Sequence, residues 1–142
     1  MKRTLLSLCL IAASSAVFAN GVTAIATPAT SAQKACDGAV AGSGKTKVYG
    51  GDGATITGTT YFVQQGFTVQ CSSNVTLYFQ ESSPTLAVVA SASMKGNQVF
   101  GGSSNGGAMS SVLNCTGTAC AESDVSGSGL SNALSSATSS GS

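Results

Sequence analysis

The sequence FTVQCSSNVTLYFQ, residues 67–80, decides the fold class of this chain. Apolar and polar side chains alternate over residues 67–71 and again over residues 75–80, on either side of a short Ser-Ser-Asn turn. A two-residue period is typical of strands with one buried face, and two such runs around a tight turn predict a β-hairpin. Cys71, at the end of the first run, is then expected to face the core.

Further strand patterns lie on both sides of this pair. Residues 55–63 are β-branched and aromatic, and residues 98–100 predict a shorter strand. Residues 20–35 predict a strand or an arm. The glycine-dense residues 38–53 are expected to be mainly loop, because glycine adopts turn conformations without steric cost. Residues 85–93 predict another strand, with four apolar side chains on one face: Leu86, Val88, Ala90 and Ala92.

Several short strands separated by glycine and serine turns predict a mostly β fold, either a small antiparallel β-sandwich or a partly open barrel. The predicted disulfide-bonded domain spans residues 20–120. Residues 121–142 are almost entirely serine, alanine and glycine. Side chains this small bury too little area to offset an ordering cost of about 1–2 kcal/mol per residue. We therefore expect a flexible, low-complexity tail over residues 121–142.

Residues 1–19 have the pattern of a secretory signal peptide. Lys2 and Arg3 precede an apolar run, and Val17 and Ala19 suit cleavage after residue 19. The run is shorter than the roughly 20 residues that a membrane-spanning helix needs, so we expect cleavage and no transmembrane anchor. The pattern is typical of a bacterial Sec signal and predicts a secreted, cell-surface or periplasmic protein.

Four of the five cysteines remain after this cleavage, an even number in a chain bound for an oxidising compartment. Two disulfides are expected, and four cysteines allow three pairings. We favour Cys36 with Cys71 and Cys115 with Cys120, because the CTGTAC spacing closes a short local loop. A zinc site is not expected, since the chain has no histidine and lacks the spacing of a metal-binding pair.

Charge and composition argue against several classes of function. Only 8% of the residues are charged. Nucleic-acid binding needs a basic surface, which scattered lysines do not supply. Low charge also weakens the repulsion between copies of a protein, which favours self-association. Once the signal peptide is removed, no arginine remains and there are only four lysines: Lys34, Lys45, Lys47 and Lys95.

No segment predicts a catalytic or nucleotide-binding site. GSGKT, residues 42–46, matches part of a phosphate-binding loop, but Ala39 stands where the motif needs glycine, and no strand–loop–helix pattern surrounds it. Histidine, the commonest general base, is absent. We expect no enzymatic activity, no cofactor and no metal. The acidic residues are interpreted as solvated loop residues rather than a catalytic pair: Asp37, Asp52, Glu81, Glu122 and Asp124.

Two matches to the N-glycosylation pattern, at Asn74 and Asn114, are attributed to chance in a chain so rich in serine and threonine. In a bacterial protein they would carry no meaning, whereas in a eukaryotic secretory pathway they would matter.

The leading function hypothesis is a non-enzymatic, exported structural or surface protein that builds a filament or coat. Its partner would be itself or another exported protein, with residues 20–35 as a candidate donor strand. The alternative is a soluble periplasmic or secreted binding module that recognises a partner through its loops. A third, weaker hypothesis is a small hydrolase or a hydrolase inhibitor that uses the loop between Cys115 and Cys120. The expected contacts of a binding module are four aromatic residues: Tyr49, Tyr61, Phe62 and Tyr78.

Overall fold

The computed structural model of this protein describes residues 24–25, 29–39, 44–48, 62–63, 65–106 and 108–139, with only the main chain described for residues 24–25. The predicted signal peptide, residues 1–19, lies outside the described residues. The strands are β1 (Ala24–Ile25), β2 (Gln33–Cys36), β3 (Gly44–Val48), β4 (Phe67–Cys71), β5 (Val75–Ser83), β6 (Leu86–Ser93), β7 (Gln98–Ser103) and β8 (Ser110–Asn114). A π-helical segment, Asp124–Gly129, runs directly into a helix, α1 (Leu130–Ser139).

The strands form two sheets. The large sheet has five antiparallel strands in the order β2-β5-β6-β7-β8, and the small sheet has three in the order β1-β3-β4. In the small sheet β1 runs parallel to β3, and β3 runs antiparallel to β4. The predicted mostly β, antiparallel class is confirmed, and the two sheets are open rather than closed into a barrel.

Part of the large sheet is covered on both faces, by α1 on one and the small sheet on the other. On β5, Tyr78 belongs to the same buried cluster as Leu130 of α1. Its neighbour Phe79 belongs to the cluster that contains Val48 of the small sheet. Because successive side chains on a strand point to opposite faces, both faces of β5 are buried.

The predicted hairpin over residues 67–80 is wrong. β4 pairs with β3 in the small sheet, whereas β5 pairs with β2 and β6 in the large sheet. Residues 72–74 carry the chain from one sheet into the other, and Asn74 takes the left-handed conformation with φ 62°. In the sequence, two alternating runs around a short turn look the same whether the strands form a hairpin or belong to two different packed sheets. Only the pairing partners distinguish the two arrangements.

Consecutive strands form hairpins further along the chain: β5 with β6, β6 with β7, and β7 with β8. The first of these runs from Val75 opposite Ser93 to Ser83 opposite Leu86. The strand predicted at residues 85–93 is therefore confirmed as β6, and its four apolar side chains are buried as expected. The strand predicted at residues 98–100 is also confirmed and is longer, as β7. β8 has no counterpart in the prediction.

The glycine-dense region contains a strand that was expected to be loop. Gly44, Thr46 and Val48 are buried on β3 and alternate with exposed Lys45 and Lys47. The two-residue period is present in the sequence, but it is short and the many glycines around it favour the prediction of a loop.

Parts of the predicted arm pair within the chain. β1 pairs with β3, and β2 pairs with β5. Of the strand predicted at residues 55–63, residues 55–61 lie outside the described residues, and residues 62–63 are not in a strand.

The structure differs from the predicted tail over residues 122–139, which form a helical region packed on the large sheet. Small side chains explain this packing, because they let the helix approach the sheet closely. A Cβ added to Gly129 would lie 2.7 Å from Cγ1 of Val99. Residues 140–142 lie outside the described residues. Four further residues of the helical region are buried: Val125, Leu130, Ala133 and Ala137.

Neither helical segment in the described part of the chain has the length and apolar character needed to cross a lipid bilayer.

Candidate functional site

Both predicted disulfides are present. Cys36 at the end of β2 bonds to Cys71 at the end of β4, with their Cα atoms 5.5 Å apart. Both cysteines are buried. The Thr46 hydroxyl, also buried, donates a hydrogen bond to the main-chain oxygen of Ala35 beside them. This disulfide therefore joins the large sheet to the small sheet.

The second disulfide, Cys115–Cys120, closes a loop directly after β8. The N–H groups of Cys115 and Cys120 donate to the main-chain oxygens of Asn97 and Gly96, each at 2.8 Å. The loop is thus attached to the turn between β6 and β7, while residues 116–119 are exposed. Both sulfur atoms lie within 4.8 Å of the Asp124 carboxylate. Sulfur in a disulfide is not a thiolate ligand, so this group does not form a metal site in the oxidised protein.

Glu81 is buried, only 4% exposed, which corrects its interpretation as a solvated loop residue. Its carboxylate accepts hydrogen bonds from the N–H groups of Ala29 and Val63, each at 3.1 Å. Its own N–H donates to the main-chain oxygen of Ala29 at 2.8 Å. Glu81 therefore holds two separate segments against β5. No local sequence pattern indicates this role, because both donors are main-chain groups far away in the chain.

A polar cluster joins β2 to the start of the helical region. Nζ of Lys34 lies 2.8 Å from Oε1 of Glu122 and 3.1 Å from Oδ2 of Asp37. The Tyr78 hydroxyl donates a hydrogen bond to the Glu122 carboxylate. Asp37 and Glu122 are therefore paired groups rather than isolated solvated ones.

The pKa values in this cluster move away from neutrality. The hydrogen bond to Glu122 raises the pKa of Lys34 to about 12. Burial, together with the hydrogen bond to Glu122, raises the pKa of Tyr78 to about 12. Hydrogen bonds from Lys34 and Tyr78 lower the pKa of Glu122. A general acid or base works best with a pKa near the working pH, so these groups are suited to stabilising structure rather than to transferring protons.

Two of the three remaining motifs have structural explanations. Thr46 of the partial phosphate-loop match is fully buried on β3, in a strand rather than in a loop before a helix. Thr76 of the first glycosylation match is also buried, and its hydroxyl accepts a hydrogen bond from the N–H of Gly38. Asn114 of the second match is exposed at the end of β8.

Of the aromatic residues proposed as binding contacts, two lie within the described residues. Tyr78 is buried in the core, and Phe62 is half-buried. Tyr49 and Tyr61 lie outside the described residues.

A surface that was not predicted lies at the end of the large sheet. Residues 96–121, which we call the uncharged edge, contain β7, β8 and the second disulfide loop but no acidic or basic residue. β8 is the last strand of the large sheet among the described residues. Phe100 on β7 is 43% exposed, and Met109 just before β8 is 52% exposed. The long run without charge is the sequence signal that indicates this surface.

The small sheet leaves this part of the large sheet uncovered within the described residues. Phe100 lies on the same face as Leu77, because both are paired with Ser91. Leu77 packs against the buried cluster beneath the small sheet, whereas Phe100 is 43% exposed. The uncovered face therefore carries one partly exposed aromatic side chain, Phe100, between Ser91 and Ser111 next to the strand edge.

An open groove of about 310 Å³ lies between the covered and uncovered parts of this face. Its lining is mainly apolar and includes Phe62, Phe79, Ala87, Val89, Gly102 and Met109. A groove of this kind can hold an apolar side chain or a small apolar ligand.

The described part of the chain thus presents a polar cluster that stabilises one edge of the large sheet, an uncharged opposite edge, and a shallow apolar groove. Comparison of this chain with protein-family models, curated proteins and solved structures finds no match.

Proposed function

We propose that this protein is an exported, non-enzymatic structural subunit that associates with itself to form a filament or coat. One observation carries the proposal: the large sheet ends in the uncharged strand β8, beside exposed Phe100 and Met109. An edge strand presents N–H and C=O groups that can pair with another chain, and soluble proteins commonly protect such edges with charged residues, proline or β-bulges. β8 has no charged residue and no proline, and its pairing with β7 is irregular only at Val112.

Three further features support an exported, durable and non-enzymatic subunit. Two disulfides within one small domain fit an oxidising compartment such as the periplasm or the cell exterior. The low charge of the chain leaves little repulsion between copies. The pKa shifts in the cluster around Lys34 favour a stabilising role for its ionisable groups over proton transfer.

The test begins with the full chain expressed in a bacterium and followed by cell fractionation. We expect a protein that has lost residues 1–19, as measured by mass spectrometry, in the periplasmic, surface or medium fraction. Electron microscopy of that fraction should then show oligomers or filaments. A full-length protein that stays in the cytosol with reduced cysteines, or an exported protein that remains monomeric at high concentration, would contradict the proposal.

The second candidate is a binding module, favoured by the groove of about 310 Å³ beside Phe62. Such a module would bind a partner saturably while remaining a monomer. Titration of the monomer with an apolar fluorescent probe, repeated with Val89→Glu to place a charge in the groove, distinguishes the two functions. Saturable binding that the substitution abolishes, with no self-association, would favour the binding module.

A further inference from the structure

The edges of the two sheets differ in how well they suit pairing with another chain. β2 carries Lys34, which forms ion pairs with Asp37 and Glu122. β4 has five residues and no charge of its own, and its Phe67 is 46% exposed, but its neighbour β3 exposes Lys45 and Lys47. β1 has only two residues. β8 also has five residues and no charge, its neighbour β7 carries no charge either, and no described strand pairs with its outer side.

From this difference we infer that β8 pairs antiparallel with β8 of a second copy of this chain, about a two-fold axis. The inference rests on the proposed self-association and assigns one of its contacts to this edge; because a two-fold pair is closed, a filament or coat needs a second interface between such dimers. A two-fold axis brings residues near it close to their own copies and places residues farther out opposite different ones. A charge near the middle of the edge would therefore lie close to a like charge, which is unfavourable. The uncharged edge, residues 96–121, avoids this penalty. A charged partner would have to bury its charges against a surface that has no opposite charges to pair with them.

The geometry of the strand fits such a pair. Antiparallel pairing about an axis perpendicular to the sheet would join two five-stranded sheets into one continuous sheet. Both copies of α1 would then lie on one face. Phe100, which pairs directly with Ser111 of β8, would be exposed on the other face in both copies.

One acceptor of β8 is already satisfied within the chain. Nδ2 of Asn132 in α1 donates to the main-chain oxygen of Val112 at 2.9 Å. Val112 lies at an irregularity in the pairing of β8 with β7, between the residues that pair with Val99 and Phe100. The other outward main-chain groups of β8 would form the ladder with the second copy.

Substitution of the edge with a charge tests the inference. Ser111→Lys places a charge on exposed Ser111, and Ser110→Lys is a second variant on the opposite face of the strand. Exposed Ser131 on α1 provides the matched control, Ser131→Lys. Sedimentation of the mature, oxidised protein over about a hundred-fold range of concentration gives the dimer dissociation constant. We expect both edge variants to weaken dimerisation by about ten-fold or more, because each places like charges across the axis. The control should change it by less than about two-fold.

Hydrogen exchange identifies the strand that pairs. Amides of residues 110–114 should gain protection as dimer forms, while those of β4 should not, and circular dichroism should show that each variant is folded. Self-association that both edge variants leave unchanged, with protection appearing in β4 instead, would overturn the assignment to β8 and retain the proposed function. A wild-type protein that stays monomeric throughout would overturn both.

Discussion

The two edges of the large sheet differ in charge and in cross-linking. At β2, Lys34 forms ion pairs and Cys36 is bonded to the small sheet through Cys71. At β8 there is no charge, and the nearby disulfide closes only its own short loop. One edge is thus closed by contacts within the chain, whereas no described strand covers the other. If this difference governs the behaviour of the protein, the closed edge accounts for stability and the uncharged edge for association.

The largest effect is expected from the two disulfides, one on each side of this comparison. Replacing both Cys36 and Cys71 with alanine should reduce the free energy of unfolding by about 4 kcal/mol, because that bond links residues 35 apart in the chain. Replacing both Cys115 and Cys120 should cost only about 2 kcal/mol, because that separation is 5 residues. Urea unfolding of the oxidised proteins, monitored by circular dichroism, measures both losses.

The same pair of variants separates stability from association. The variant without Cys36–Cys71 should self-associate as the wild type does under conditions in which it is folded, because that bond lies at the opposite edge of the large sheet from β8. The variant without Cys115–Cys120 alters the loop next to β8 and should change association more than its loss of stability explains. A larger stability loss for the short loop than for the bond between sheets would contradict the comparison.

Glu81 tests how the covered side of the large sheet is held. Glu81→Ala removes the acceptor of two buried N–H groups, those of Ala29 and Val63. Leaving buried donors without partners costs about 2–3 kcal/mol in the free energy of unfolding. The adjacent Gln80 is the control, since its side chain donates to Thr30 in an exposed hydrogen bond. Gln80→Ala should cost about 0.5 kcal/mol, and equal losses for the two variants would show that Glu81 has no special role.

Strand positions could be predicted from sequence more reliably than strand partners. β6 and β7 follow from local alternation, and the disulfide pairing follows from spacing. The partner of β4 could not be predicted, because residues 72–74 suit both a hairpin and a turn between sheets. Burial of Thr46 and Cys71 against Ala35 reflects contacts between segments that are distant in the chain.

The helical region shows a second limit of local prediction. The small side chains of residues 121–142 indicate a disordered segment when only their own buried area is considered. Against a sheet they have the opposite effect, since Gly129 and Ala133 let the helix lie close to Val99 and Gly101. The role of Glu81 and the exposure of β8 likewise depend on distant segments, although the charge-free run over residues 96–121 is visible in the sequence.

The smallest expected effect concerns the ion pair at the closed edge. Lys34 and Glu122 are 27% and 44% exposed, so solvent screens their interaction. Glu122→Gln should therefore reduce the free energy of unfolding by only about 0.5 kcal/mol at neutral pH. Lys34→Gln should cost a similar amount, and the double variant should cost less than the sum of the two single losses if the groups interact directly.

The pH dependence of the stability loss caused by Glu122→Gln shows whether the loss comes from the ion pair. The pKa of Glu122 is lowered below its ordinary value of 4.5 in the folded protein, so its contribution is present above pH 4.5 and is lost as the pH falls through the folded value. The pKa of Lys34 is raised from 10.5 to about 12, so its contribution is present below pH 10.5 and is lost as the pH rises through about 12. The stability gap between the wild type and Glu122→Gln, measured by urea unfolding, should thus be constant from about pH 5 to pH 10 and should shrink on either side. A gap that persists unchanged in acid would mean that Glu122 acts through packing or through the neutral hydrogen bond from Tyr78, and the ionic closure of the β2 edge would then contribute nothing measurable to stability.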